Sequence, residues 1–89
     1  MPQVVVAPAF QRFVPCAPHV VRAETVGAAL DAVFADVPAL RDYVLDDQGH
    51  VRKHVALFVD GRMIADRRDL SLGVAQASEI YVAQALSGG

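Results

Sequence analysis

Only one of the 89 residues, Cys16, is a cysteine, and there is no tryptophan. A single thiol excludes an internal disulfide and makes a reducing compartment the economical expectation. No stretch approaches the roughly 18–20 continuous apolar residues of a membrane span. The start, Met1-Pro2-Gln3-Val4-Val5-Val6, lacks the basic residues that open a signal peptide. The expected setting is therefore cytoplasmic and soluble, without a membrane partner. Charge of neither sign prevails: 8 Lys+Arg face 10 Asp+Glu, and Arg67-Arg68 stands between Asp66 and Asp69. That balance gives no electrostatic ground for a nucleic-acid partner. A phosphate-cradling Gly-x-x-x-x-Gly-Lys-Ser/Thr loop is missing, as is a glycine fingerprint between strand and helix. No bound cofactor is expected, and any ATP chemistry must belong to a partner.

What the chain does have is apolar residues, at 54%, enough to core one small domain. A chain of this length buries roughly 60–65% of the surface its unfolded form exposes. Val4-Val5-Val6-Ala7 reads as a first strand stopped by Pro8. Phe10 to Pro18, with Pro15 and Pro18 around Cys16, reads as a connection, and His19 to Ala23 as a second strand. Thr25 is placed to cap a helix in which Val26, Ala29, Leu30, Val33 and Phe34 recur at helical spacing. Gly27 falls in its first turn, Pro38 closes it, and Pro38 to Tyr43 suits one further short turn. Asp46-Asp47-Gln48-Gly49 is a turn, Val51 to Val59 the longest strand candidate, and Asp60-Gly61 a two-residue hairpin returning through Arg62-Met63-Ile64. Leu70, Leu72 and Val74 are expected to tuck under the domain before a last strand over Glu79 to Ala83.

One main helix among about five strands leaves a compact solution in the α+β class. A mixed sheet curls over the helix, with first and last strands adjacent and some parallel pairing in the middle. The expected division is a single domain over 1–85 and a flexible tail over 86–89.

That tail, Leu86-Ser87-Gly88-Gly89, is the least ordinary stretch. Two glycines lose the most backbone entropy on ordering and cannot stabilise a fold, but they pass through slots too narrow for any side chain. An unperturbed α-carboxylate has a pKa of roughly 3.3–3.7, so at neutral pH it is an anion and a poor electrophile. To react it must be activated, most simply as an acyl-adenylate. The same ending also reads as a chance terminus or a processing remnant.

Several stretches resemble one family. They are Thr25-Val26-Gly27 with Leu30, Pro38-Ala39-Leu40-Arg41, Val55 to Gly61, and Glu79-Ile80-Tyr81-Val82 running into Ala85-Leu86-Ser87-Gly88-Gly89. Their order is similar to that of the ubiquitin-like small sulfur carriers of the β-grasp fold: the small molybdopterin-synthase subunit, the thiamine thiazole sulfur carrier and the carrier for thiocarboxylate-dependent cysteine synthesis. One departure is Ala77-Ser78-Glu79, where such carriers often have Gly-Asp-Glu. The resemblance implies a protein substrate, not an enzyme. An E1-like adenylyltransferase would use ATP to activate the Gly89 carboxylate, a sulfur donor such as a sulfurtransferase would convert it to a thiocarboxylate, and an acceptor enzyme would take the sulfur. Gly88, Ser87 and Leu86 would thread the partner's slot. Both parities of these strands are apolar, so Phe58, Tyr81 and Ala83 or their neighbours are expected on the sheet face away from the helix, as a partner-docking surface, a second small core or a self-association contact. A non-transferring binding module and a lysine-linked protein modifier are the alternative functions, and the pathway receiving the sulfur stays open.

Other candidates carry less. Cys16 has no obvious neighbouring base in the sequence, and His50 and His54 lack a third metal ligand. Asp46-Asp47 and Asp66 to Asp69 read as solvent-facing loops. No metal site or catalytic set is expected.

Overall fold

In a computed structural model, which describes residues 1–85, the β-branched run near the start forms β1 (Gln3–Val6). It continues into a short helix α1 (Pro8–Gln11) and a two-residue strand β2 (His19–Val20). Helices α2 (Val26–Asp36) and α3 (Pro38–Val44) follow, then β3 (Val55–Val59), β4 (Arg62–Met63) and β5 (Glu79–Gln84). The sheet order is β2-β1-β5-β3-β4. β1 and β5 are parallel neighbours, and the other pairs are antiparallel. The central strand is thus the last one, and it leads straight to residues 86–89.

Helix α2 starts where Thr25 accepts, at its Oγ1, a hydrogen bond from the Ala28 N–H at 3.1 Å. Its apolar stripe, Val26, Ala29, Leu30, Val33 and Phe34, is buried against the inner sheet face. Burying each such large side chain contributes about 1.5–3 kcal/mol. Gly27 suits a close approach: its N–H donates to the Leu70 carbonyl at 2.8 Å, and a Cβ there would lie 3.1 Å from that oxygen, a tight contact. Asp60 and Gly61 turn β3 into β4 with φ of 51° and 83°. The Asp60 carboxylate then accepts from Ser78 Oγ and from the Glu79 N–H, both at 2.9 Å, pinning the start of β5. Ser78 is the one buried polar residue among the described residues, and its hydroxyl also accepts from the Ala75 N–H.

Several expectations need correction. The strand expected over 51–59 begins only at Val55. Val51 makes a lone bridge to Leu45, and Arg52 to His54 form a turn in which the Val55 N–H donates to the Arg52 carbonyl. The connection after β1 contains a helix, and the turn after Pro38 is a seven-residue helix. Strand character after His19 stops at Val20. Leu72 is 49% exposed rather than tucked under the domain, because the Thr25–Gly73 bridge carries its backbone across the surface.

Candidate functional site

The strand period of two sorts the sheet's residues onto two faces. Val4, Val6, Leu57, Ile80 and Val82 point inward and are almost fully buried. The pairing register puts Val5, Tyr81, Phe58 and Met63 side by side on the outer face, across β1, β5, β3 and β4. Met63 is 61% exposed, and Val5, Phe58 and Tyr81 are half-buried. One step toward the end of β5 lies a row of small residues, Ala56 opposite Ala83. Large residues beside small ones leave an open trough of about 540 Å³, lined by Ala56, Phe58, Met63, Arg67, Ala83 and Ala85. Phe58, Tyr81 and Ala83, singled out from the sequence, therefore share one apolar face. Leu86, Ser87, Gly88 and Gly89 lie outside the described residues.

The trough's far wall is held from within. The Arg67 guanidinium donates through Nη1 to the Arg52 carbonyl and, at 2.7 Å, to the Val55 carbonyl. It thereby satisfies backbone acceptors where β3 begins. The Ala85 N–H donates to the His54 carbonyl at 2.8 Å, so the residue after β5 stays clamped to the chain before β3. On the other side, the Ala7 N–H donates to the Val82 carbonyl at 2.8 Å, setting α1 beside the end of β5. The Gln11 side-chain amide braces the following loop, donating to the Val6 and Cys16 carbonyls and accepting from the Cys16 N–H.

That loop brings together a constellation hidden in the sequence. Cys16 Sγ lies 3.8 Å from His19 Nδ1, and His19 Nε2 lies 2.8 Å from Asp36 Oδ2. A neighbouring base thus exists, contrary to the expectation from sequence, but it is not free to act as one. Nδ1 is also 2.6 Å from the Ala17 carbonyl. Both close oxygens only accept, so the protonated ring donates to both, an arrangement that favours the charged form. The Asp36 hydrogen bond, then the Ala17 carbonyl, raise the His19 pKa against a smaller opposing effect of burial. Burial, then the Asp36 charge, raise that of Cys16. A buried thiol pushed toward its protonated form is a poor nucleophile.

His50 and His54 do not combine into a site, and among the described residues no group of three or more His, Cys, Asp or Glu could hold a metal ion. The Asp46 carboxylate accepts from the backbone N–H groups of Gln48 and His50 and serves its own turn, which lowers its pKa. No helix among the described residues is long and apolar enough to cross a membrane.

Neither a family model nor a curated protein matches the sequence. Solved structures do. Small archaeal modifier protein 1 from Haloferax volcanii is 25% identical with a TM-score of 0.75, over 99% of this chain and 98% of that one. The fold is the ubiquitin-like β-grasp. CysO of Mycobacterium tuberculosis superposes with a TM-score of 0.80 at 13% identity, over 97% of this chain and all of that one. CysO from Amycolatopsis orientalis, in a complex with BexX, gives 0.80 at 12% over the whole of both chains. In fold and length the chain is similar to these small ubiquitin-like proteins.

Proposed function

We propose that this chain is a sulfur carrier whose Gly89 carboxylate is the reactive group. A partner adenylates it with ATP, a sulfur donor converts the adenylate to a thiocarboxylate, and an acceptor enzyme takes the sulfur. The observation that carries this reading is the placement of β5. The strand that ends in Gln84 is the centre of the sheet, and the apolar trough lies at its exit. A partner docked on Phe58, Tyr81 and Ala83 would be seated beside the root of residues 86–89, with Leu86 extending the contact and Ser87, Gly88 and Gly89 entering its slot. The CysO–BexX complex, a β-grasp protein caught with a partner, supports such docking.

The division of labour has a chemical reason. A thiocarboxylate sulfur is soft and nucleophilic, and two glycines let it pass where a side chain would jam. The globular part needs no acid, base or metal of its own, because activation is done elsewhere.

Intact-mass analysis of the protein from its native host tests the proposal. The expected result is a fraction in which one oxygen is replaced by sulfur, mapped by fragmentation to Gly89. Uniform absence of that species in sulfur-replete cells would favour a β-grasp binding module instead. The neighbours named as modifiers support a second reading, in which the same activated carboxyl joins lysines of other proteins. Isopeptide-linked remnants of Ser87-Gly88-Gly89 on host proteins would distinguish it.

A further inference from the structure

The outer sheet face is apolar in its middle and carries opposite charges at its two ends. Glu79, Tyr81 and Ala83 share one parity of β5, so the Glu79 carboxylate stands on that face where β5 begins, beside an open hollow of about 400 Å³ formed with Phe58, Gly61 and Tyr81. At the other end Arg67 lines the trough beside Ala56 and Ala83. Its guanidinium is anchored to the Val55 carbonyl, level with the Val55–Gln84 pair, which lies a strand length of roughly 17 Å from Glu79. Neither charge is matched within the described residues. The ion pairs among them are His19–Asp36 and Arg68–Asp66, and the Glu79 side chain makes no hydrogen bond there. Arg67 bonds only through Nη1, which leaves Nε and Nη2 to donate.

We propose that this face recognises itself, two copies of the chain forming a reversible twofold dimer. Turned about an axis lying across the strands, a second copy lays its β5 antiparallel over the first, and Arg67 of each then faces Glu79 of the other. Phe58, Tyr81 and Met63 meet across the middle. A partner surface of one sign would satisfy one end and oppose the other, whereas a reversed copy matches both. Size sets the strength of the contact. Five strands at roughly 4.7–4.9 Å spacing and about 17 Å of strand make a plane of at most roughly 400 Å² a side, half of what a lasting complex buries, so the dimer is transient. It covers Phe58, Tyr81 and Ala83. In the sulfur-carrier reading, on which this consequence rests, a partner must displace the second copy before it docks.

Sedimentation equilibrium of the full chain, from about 10 μM to about 2 mM, tests the surface. The expected result is a monomer–dimer equilibrium with a midpoint of roughly 0.1–1 mM, weakened by added salt. Amide shifts on dilution should move at 56–58 and 81–83. Glu79→Arg sets like charges together at both symmetric contacts and should weaken the dimer at least about tenfold. Arg67→Glu should weaken it likewise, and mixing the two variants should restore association, because the mixed dimer has opposite signs at both contacts. Should Arg67→Glu fail to fold, Glu79→Arg still decides, since its side chain bonds to nothing in the described fold and an unchanged unfolding midpoint shows it intact. A chain that stays monomeric over that range, shifts confined to the helices, larger head-to-tail oligomers, or a dimer indifferent to Glu79→Arg would each overturn the proposal. Those failures leave the carrier reading standing, because no activated tail enters the measurement, and absence of sulfur at Gly89 in the host leaves the dimer testable.

Discussion

The two faces of the sheet are built from the same strands and the same kinds of residue, yet they end in opposite states. On the inner face Leu57 and Ile80 are 1% and 0% exposed under α2, while on the outer face Met63 is 61% exposed and Phe58 and Tyr81 are half-buried. Composition cannot make that difference, since alternate residues of β3 and β5 are apolar in both sets. Connectivity makes it: both helical connections, through α1 and through α2 and α3, contribute buried side chains to the one core. The inner face holds the fold together, and the outer face is left uncovered by the described residues.

Substitutions that treat the faces alike are the sharpest way to break this contrast. Leu57→Ala, on the inner face, should lower unfolding stability by about 2–5 kcal/mol, the usual loss for a buried leucine. Urea titration would measure it, and a loss below about 1 kcal/mol would mean the inner face is not the core. Phe58→Ala, its chain neighbour on the outer face, should lower stability by less than Leu57→Ala. It should also reduce thiocarboxylate formation in a reconstituted assay by at least about tenfold, the scale of a truncated binding anchor. An unfolding loss as large as that of Leu57→Ala, with transfer intact, would reverse the assignment of the faces.

Smaller effects sharpen the account of how the inner face is closed. Thr25→Ala removes the acceptor for the Ala28 N–H and should lower stability by about 1 kcal/mol, readable as a drop in melting temperature. The His19–Asp36 pair should give the smallest signal, below about 1 kcal/mol, because Asp36 is 73% exposed. Its sign is fixed. The folded pKa of His19 lies above the ordinary value of about 6.5, so the contribution is complete below that pH and disappears as pH rises through the folded value. Stability of the native chain minus that of Asp36→Asn, measured across pH 5–9, should fall with rising pH. A rise would mean that His19 is held neutral.

Features encoded within a few residues were legible in the sequence. The Thr25 cap and the Asp60-Gly61 hairpin depend on adjacent atoms, and the period of two put Phe58 with Ala56 and Tyr81 with Ala83, while the pairing register decides that these face outward. The helices beginning at Pro8 and Pro38 were hidden because proline reads as a breaker, although its fixed φ and missing N–H suit a first helical turn. The strand entry expected at Val51 failed because the backbone there bonds elsewhere: its N–H donates to the Arg67 carbonyl, and the Arg67 guanidinium takes the carbonyls of Arg52 and Val55. Sequence carries no signal for such a long-range partner. The same holds for Cys16, His19 and Asp36, and for Phe13 and Tyr43, whose rings stack 5.8 Å apart.

The account depends on the fold and the reactive end being separable. Comparing the full chain with one lacking Gly88 and Gly89, by unfolding midpoint and by sulfur transfer in one reconstituted system, tests that most directly. The expected result is an unchanged midpoint with transfer abolished. A midpoint that falls sharply, or transfer that survives the truncation, would contradict it.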